Sequence, residues 1–215
     1  MQRKWLAGLA LGSALALPCT ALVLNLDEKP PVQEKEKAKV ETLKLGATVP
    51  ETLSLPDMNG KAHSFKDMRG KVVVIHFWSD RCPAEKHADP VMKSLEQYYA
   101  KKDVVLLAIN SNQNELGAKP ERDADYSKLY TNLREKIKEI GHTHQLLIDH
   151  GNVVSDLFGA KSTPHCFVLD KQGKLAYVGA LDGGPGAPEK TYVRDAADLL
   201  LEGKPVAVAE TKPYG

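Results

Sequence analysis

The sequence is poor in cysteine and almost without net charge. Its three cysteines, Cys19, Cys82 and Cys166, are too few and too scattered for a disulfide-stapled fold or a four-cysteine zinc site. It contains 29 Lys and Arg residues and 28 Asp and Glu residues. The resulting net charge of +1 argues against nucleic-acid binding, which usually needs a strongly basic domain. The full sequence is 42% hydrophobic and 27% charged, which is the balance of an ordinary globular protein.

The first 21 residues have the pattern of a secretory signal peptide. The short basic start Gln2-Arg3-Lys4 precedes an apolar run over residues 5–17, and small residues follow around Ala21. The run is too short to span a bilayer comfortably, so we predict cleavage near Ala21 and a periplasmic or otherwise extracytoplasmic location, where disulfides persist. The alternatives are a lipoprotein signal at Cys19 and an uncleaved N-terminus that associates loosely with a membrane.

Residues 22–45 have the composition of a charged linker. More than half of the positions from 27 to 45 are charged, and few carry large apolar side chains, so this segment buries too little surface to offset its ordering entropy. The rest of the chain divides into a domain over residues 46–205 and a C-terminal tail over residues 206–215.

Strands and helices alternate in the predicted domain. Apolar and β-branched runs predict strands, which are residues 72–78, 104–110, 145–148, 166–169 and 175–178. Amphipathic periodicity and end signals predict helices, which are residues 83–101, 126–140, 153–158 and 189–202. We expect Asn152 to cap the third of these helices and Gly159 to end it. The order predicts a three-layer α/β domain with a central mixed sheet.

Cys82 lies where the first long strand ends and the next helix begins. Pro83 occupies the first-turn position that proline favours, which places the sulfur near unpaired backbone N–H groups and the positive end of the helix dipole. Both features stabilise a thiolate, and Arg81 adds to them, whereas Asp80 and Glu85 oppose them. We therefore predict a reactive thiol at Cys82 rather than an inert one.

Several motifs, in their order and spacing, resemble the thioredoxin superfamily. The segment 77–85, with Pro90 beyond it, looks like the thioredoxin strand, active-site turn and proline-kinked helix, and Thr163-Pro164 looks like the family's cis-proline. Motifs between residues 46 and 71 resemble the redoxin branch, which includes alkyl hydroperoxide reductase and thiol-specific antioxidant proteins. The resemblance implies a thioredoxin-like fold with a redoxin-type N-terminal extension and an inserted helical segment over residues 111–140.

The resemblance also implies roles for single residues. Cys82 would be the catalytic thiol, and Thr163 and Pro164 would hold a substrate chain beside it. His76 aligns with the buried acidic residue that accepts a proton behind the thioredoxin site, so it could be a general base; an ordinary strand residue is the alternative. The residues of the active-site turn would be Trp78, Ser79, Arg81, Pro83 and Glu85.

Two departures separate the chain from the best-known branches. The second cysteine of the thioredoxin motif is replaced by Glu85, so Cys82 lacks the usual partner for a short-loop disulfide. The proline of the peroxiredoxin motif is replaced by Ile75. Cys166, two residues after Pro164, is a candidate resolving thiol if the geometry allows, but the alternation of its strand could equally direct it into the core.

These observations predict an exported thiol-based oxidoreductase. Cys82 would attack a protein disulfide or a peroxide, and Cys166 or an unidentified thiol reductant would resolve the product. No cofactor, metal or nucleic-acid partner is predicted. The alternative is a non-catalytic binding module of the same fold that holds a client protein or, with less support, copper at the residues whose thiols and imidazoles suit it, Cys82, His87, His165 and Cys166.

Overall fold

The computed structural model describes residues 41–214, so the predicted signal peptide and most of the predicted linker lie outside the described residues. Two short strands, β1 (Ser54–Pro56) and β2 (Ala62–Ser64), form an antiparallel pair ahead of the main sheet. The main sheet contains β3 (Val72–Phe77), β4 (Val104–Asn110), β5 (Gln145–Ile148), β6 (His165–Leu169) and β7 (Leu175–Gly179). Its order is β5-β4-β3-β6-β7.

The sheet is mixed, as predicted. Strands β3, β4 and β5 run parallel to one another, and β6 is antiparallel to both β3 and β7. All six residues of β3 are buried, which explains its unbroken apolar run: the strand is central and covered on both faces.

In the described residues, five α-helices accompany these strands. They are α1 (Glu85–Tyr99), α2 (Gln113–Leu116), α3 (Thr131–Ile140), α4 (Val153–Phe158) and α5 (Tyr192–Leu201). None of the helices in the described residues is long and apolar enough to cross a membrane.

Side-chain alternation along β3 divides the core into layers. Val73, Ile75 and Phe77 pack with α4 and with the N-terminal segment that contains Leu55 and Phe65. The alternate residues of β3 face α1 and α5, whose buried side chains form a second cluster, and Trp78 packs with α3 in a third. The three-layer α/β prediction is therefore confirmed.

Two helix predictions were wrong in detail. The helix predicted to start at Pro83 begins at Glu85, after a tight turn in which Glu85 N–H donates to the Cys82 carbonyl at 3.1 Å. The helix predicted over 126–140 is broken, because Tyr130 takes a left-handed conformation (φ 56°) between a 3-10 turn and α3.

The predicted cap of α4 was also wrong. Asn152 has a left-handed backbone (φ 61°), and its side chain does not cap the helix. Asp149 does so instead, because its carboxylate accepts the backbone N–H groups of Val154 and Ser155 at 2.9–3.2 Å. Gly159 ends the helix in a left-handed conformation, as expected.

Two segments outside the main sheet each form a single β-bridge with one of its edge strands, β5 and β7. Asp57 bridges Leu147 of β5, and Glu210 bridges Val178 of β7. The second contact is close, because a Cβ atom at Gly179 would lie 2.5 Å from the carbonyl oxygen of Thr211.

Candidate active site around Cys82

Cys82 follows the carboxyl end of β3 in a tight turn. The Cys82 N–H donates to the Ser79 carbonyl at 3.2 Å, and the Trp78 N–H still belongs to the sheet, donating to Ile109 at 2.9 Å. Cys82 is half-buried and carries a free thiol. The predicted position between strand and helix is therefore correct, although α1 starts three residues after the cysteine.

The loop before β6 meets this turn at the sulfur. The Cys82 thiol donates to the Thr163 carbonyl oxygen at an S–O distance of 2.7 Å. The Thr163–Pro164 peptide bond is cis, in agreement with the resemblance, and Pro164 is buried. The structure thus brings together Cys82 and Thr163, which are 81 residues apart in the chain.

His76 and Glu85 form a buried pair beneath the turn. His76 Nε2 lies 3.0 Å from Glu85 Oε2, and the side chains are 0% and 4% exposed. Neither side chain makes an aligned hydrogen bond within the described residues. The position of the missing second cysteine is therefore filled by a buried carboxyl whose nearest charge partner is a histidine of the central strand.

Cys166 lies on β6 directly opposite His76 in the antiparallel register. It is fully buried among the apolar side chains that β3 and α1 contribute to the second core cluster. Burial raises the pKa of its thiol well above the usual value, and the negative charges of Glu85 and Asp182 add to the effect. Cys82 and Cys166 are both free thiols, so the resolving role of Cys166 remains a prediction.

The predicted turn residues have different environments. Arg81 and Pro83 are exposed, whereas Trp78 is buried and its Nε1–H donates to Asp89 Oδ1 at 3.0 Å. Ser79 is buried and donates its hydroxyl to Glu115 Oε1 at 2.5 Å.

Glu115, on α2, is a site residue that sequence reasoning missed. Its carboxylate also accepts the backbone N–H groups of Asp80 and Arg81. The available signal was the polar run Ser-Asn-Gln-Asn-Glu directly after β4, at the end of the sheet where β3 delivers Cys82.

The histidines of the copper alternative do not converge. His87 Nε2 contacts Asp182 at 2.9 Å, and His165 packs on Phe167, with 4.5 Å between ring centroids. Burial and the nearby Lys161 lower the pKa of His165 to about 4, so its imidazole is neutral near pH 7. Among the described residues, no group of three or more His, Cys, Asp or Glu side chains could hold a metal ion.

A cavity of about 230 Å³ with both polar and apolar lining residues lies beside the turn. Its lining includes Ser79, Asn112, Lys161, Ser162 and Thr163, so the carbonyl that meets Cys82 belongs to a residue of its wall. The site thus combines a half-buried thiol, a loop backbone beside it and a small recess of mixed polar and apolar lining.

The chain is similar to known proteins over this domain. The model of the AhpC/TSA family matches residues 45–178. The thiol-disulfide oxidoreductase ResA of Geobacillus thermodenitrificans is 29% identical over 131 residues, which are 61% of this chain and 66% of that protein. ResA of Bacillus anthracis is 27% identical over 139 residues, 64% of this chain and 70% of that protein.

Solved structures show the same fold. An uncharacterised conserved protein of Geobacillus kaustophilus superposes with a TM-score of 0.64 at 27% identity, covering 81% of this chain and 95% of that one. A structure described as thiol:disulfide interchange protein DsbE from Chlorobium tepidum superposes with a TM-score of 0.52 at 20% identity, covering 64% and 85%. Together with the family match, the fold and the cis-proline beside Cys82 show that this chain belongs to the AhpC/TSA redoxin family of the thioredoxin superfamily.

Proposed function

We propose that this protein is a thiol-disulfide oxidoreductase that acts on protein disulfides outside the cytoplasm through the single thiol of Cys82. The observation that carries the proposal is the contact between the Cys82 sulfur and the Thr163 carbonyl at 2.7 Å. It places a half-exposed thiol against loop backbone to which an extended substrate segment could bind. The ResA relatives support the reaction class, and the signal-peptide pattern supports the location.

The reaction proceeds in three thiol-disulfide exchanges. The Cys82 thiolate attacks one sulfur of the substrate disulfide, the substrate S–S bond breaks, and the departing sulfur takes up a proton. Cys82 is then joined to the substrate in a mixed disulfide. An external thiol attacks the Cys82 sulfur of this bond, releases the substrate as a dithiol and forms a new disulfide with Cys82. A second external thiol attacks the reductant sulfur of that disulfide, which frees the Cys82 thiolate and leaves the two external thiols joined as a disulfide.

Glu85 is the reason that the second exchange needs an external thiol. In this fold the side chain three residues after the catalytic cysteine is placed to break the mixed disulfide, and here it is a carboxyl, which cannot form an S–S bond. We assign His76 as the general base of the site, with Glu85 as its charge partner at 3.0 Å. Because the pair is buried under the start of α1, it does not contact the substrate. We expect it to change the pH dependence of the Cys82 reaction instead.

The test is to trap the mixed disulfide. Protein lacking residues 1–21 is reduced, mixed with a disulfide-bonded peptide without other thiols, and analysed by mass spectrometry. We expect a stable adduct at Cys82 in the parent protein and in Cys166→Ser, none in Cys82→Ser, and release of the peptide on addition of a small thiol.

Two results would contradict the proposal. Adduct formation in Cys82→Ser would place the chemistry at another group. Rapid formation of a Cys82 sulfenic acid with hydrogen peroxide, together with inertness toward disulfides, would make the protein a peroxidase despite Ile75. Fluorescence of Trp78, the only tryptophan after residue 21, reports both reactions in a stopped-flow instrument.

A further inference from the structure

Five donors converge on the carboxylate of Glu115. Oε1 accepts the Ser79 hydroxyl at 2.5 Å, the Arg81 N–H at 3.2 Å and the Asn112 amide at 2.9 Å. Oε2 accepts the Asp80 N–H at 3.1 Å and the Asn110 amide at 2.6 Å. A carboxylate can accept from all five donors, whereas a protonated carboxyl would point its own proton at one of them. Glu115 is therefore ionised in this setting.

No Lys, Arg or His forms an ion pair with Glu115 in the part of the chain that the structure describes. Its negative charge is compensated by oriented N–H and O–H dipoles alone. Two of those dipoles are main-chain N–H groups of the turn, which would otherwise be available to an anion nearby.

Three of the donors belong to consecutive residues, Ser79, Asp80 and Arg81, which immediately precede the reactive thiol. The Cys82 N–H donates back to the Ser79 carbonyl at 3.2 Å, so the position of residue 79 determines where residue 82 lies. Glu115 itself is anchored by its neighbours, since Asn110 is the last residue of β4 and Leu116 is buried in the core. The carboxylate links the turn to the rigid sheet.

We propose that Glu115 is the positioning residue of the Cys82 turn: it holds residues 79–81 in the arrangement that aims the sulfur at the Thr163 carbonyl, and its charge, which is solvated by dipoles rather than neutralised by a cation in the described residues, opposes ionisation of the thiol. The residue lies in the inserted segment, so the insertion serves the active site. This inference deepens the proposed function, but it concerns the thiol itself and is tested without a disulfide substrate.

The decisive variant is Glu115→Gln, which keeps the size of the side chain and removes its charge. The rate of Cys82 alkylation by iodoacetamide is measured against pH in a Cys166→Ser background. Loss of a nearby negative charge favours the thiolate, so we expect the midpoint of the profile to move to lower pH by roughly half a unit. Disulfide exchange above the midpoint should slow by about tenfold, because the turn is no longer fixed.

Glu121→Gln is the matched control, since Glu121 is an exposed glutamate of the same inserted segment. Its alkylation profile should coincide with that of the parent protein. If Glu115→Gln shows the same midpoint as Glu121→Gln, the electrostatic role is refuted, even if its melting temperature falls. A shift of the midpoint to higher pH would refute it equally.

Ser79→Ala is the variant that tests the positioning role if Glu115→Gln does not fold. This variant removes one donor and leaves the charge in place, so we expect slower disulfide exchange with an alkylation midpoint at or above that of the parent. Unchanged exchange in a folded Ser79→Ala protein would overturn the positioning role. Inertness of the parent toward disulfides would refute the proposed function, while the alkylation profiles would still decide the role of Glu115.

Discussion

The buried His76–Glu85 pair should couple strongly in a double-mutant cycle. The pair is 3.0 Å apart with side chains at most 4% exposed, and it lacks aligned hydrogen bonds that would offset desolvation of the two groups. Removing one partner leaves the other unpaired in a low-dielectric core, and breaking a buried pair in this way costs roughly 3–5 kcal/mol. Replacing both by apolar side chains of similar size removes the desolvation cost together with the attraction.

We therefore predict that His76→Leu lowers the free energy of unfolding by about 3 kcal/mol at pH 7, because it leaves the buried Glu85 side chain without its partner. The double variant with Glu85→Met should recover most of this loss. Urea denaturation of the parent, both single variants and the double variant gives the coupling energy, which we expect to exceed about 2 kcal/mol.

Additive effects would refute this reasoning. If each single variant cost less than about 1 kcal/mol and the double variant cost their sum, the two groups would not form a coupled pair. The m-values should stay equal across the four proteins, because a change would mean that the unfolded or native state had altered instead.

Three further predictions test other parts of the domain. In protein lacking residues 1–21, one thiol, Cys82, should react quickly with Ellman's reagent in the native state and Cys166 only after unfolding, since Cys166 is fully buried; two fast thiols would contradict this burial. Asp149→Ala should lower the free energy of unfolding, measured by urea denaturation, by about 2 kcal/mol, because it leaves the N–H groups of Val154 and Ser155 without an acceptor. A loss below about 0.5 kcal/mol would mean that water replaces the carboxylate as the acceptor. The folded protein holds the pKa of His165 at about 4 against an ordinary 6.5, so the unfolded state binds the proton first as the pH falls from 6.5 to 4, and the free energy of unfolding should drop by up to about 3 kcal/mol over that window. Urea titrations at each pH should show a smaller drop for His165→Leu than for the parent protein. An equal drop in both proteins would show that His165 does not cause it.

Local patterns in the sequence predicted the strands of the main sheet well. The runs at 72–78 and 104–110 are apolar because both strands are central, and their ends fall within one residue of β3 and β4. The two three-residue strands β1 and β2 carry too few residues for any periodicity, and the sequence gives no sign of them.

The errors occur where the decisive contact is distant in the chain or depends on one backbone angle. The apolar stripe over 126–140 continues through Tyr130, but the left-handed conformation at that residue breaks the helix without a glycine or proline to signal it. Asn152 has the right residue type for a cap, yet Asp149 reaches the same N–H groups from outside the helix.

In the candidate site, too, local motifs could be predicted and contacts between distant residues could not. Cys82, Thr163 and Pro164 could be predicted because they belong to compact motifs. The pairing of Glu85 with His76 could not, since it depends on how α1 lies over β3. Glu115 lies 34 to 36 residues beyond the turn residues that it contacts, and no local pattern encodes that distance.

The bridges on the two outer strands have a consequence for the behaviour of the protein in concentrated solution. An exposed strand edge offers unpaired N–H and C=O groups to any other chain and so invites aggregation. Asp57 partly covers β5, and the segment through Glu210 and Thr211 occupies the outer side of β7 so tightly that Gly179 has no room for a side chain. Deleting residues 209–214 would therefore uncover a template for self-association, and light scattering should detect the loss of solubility.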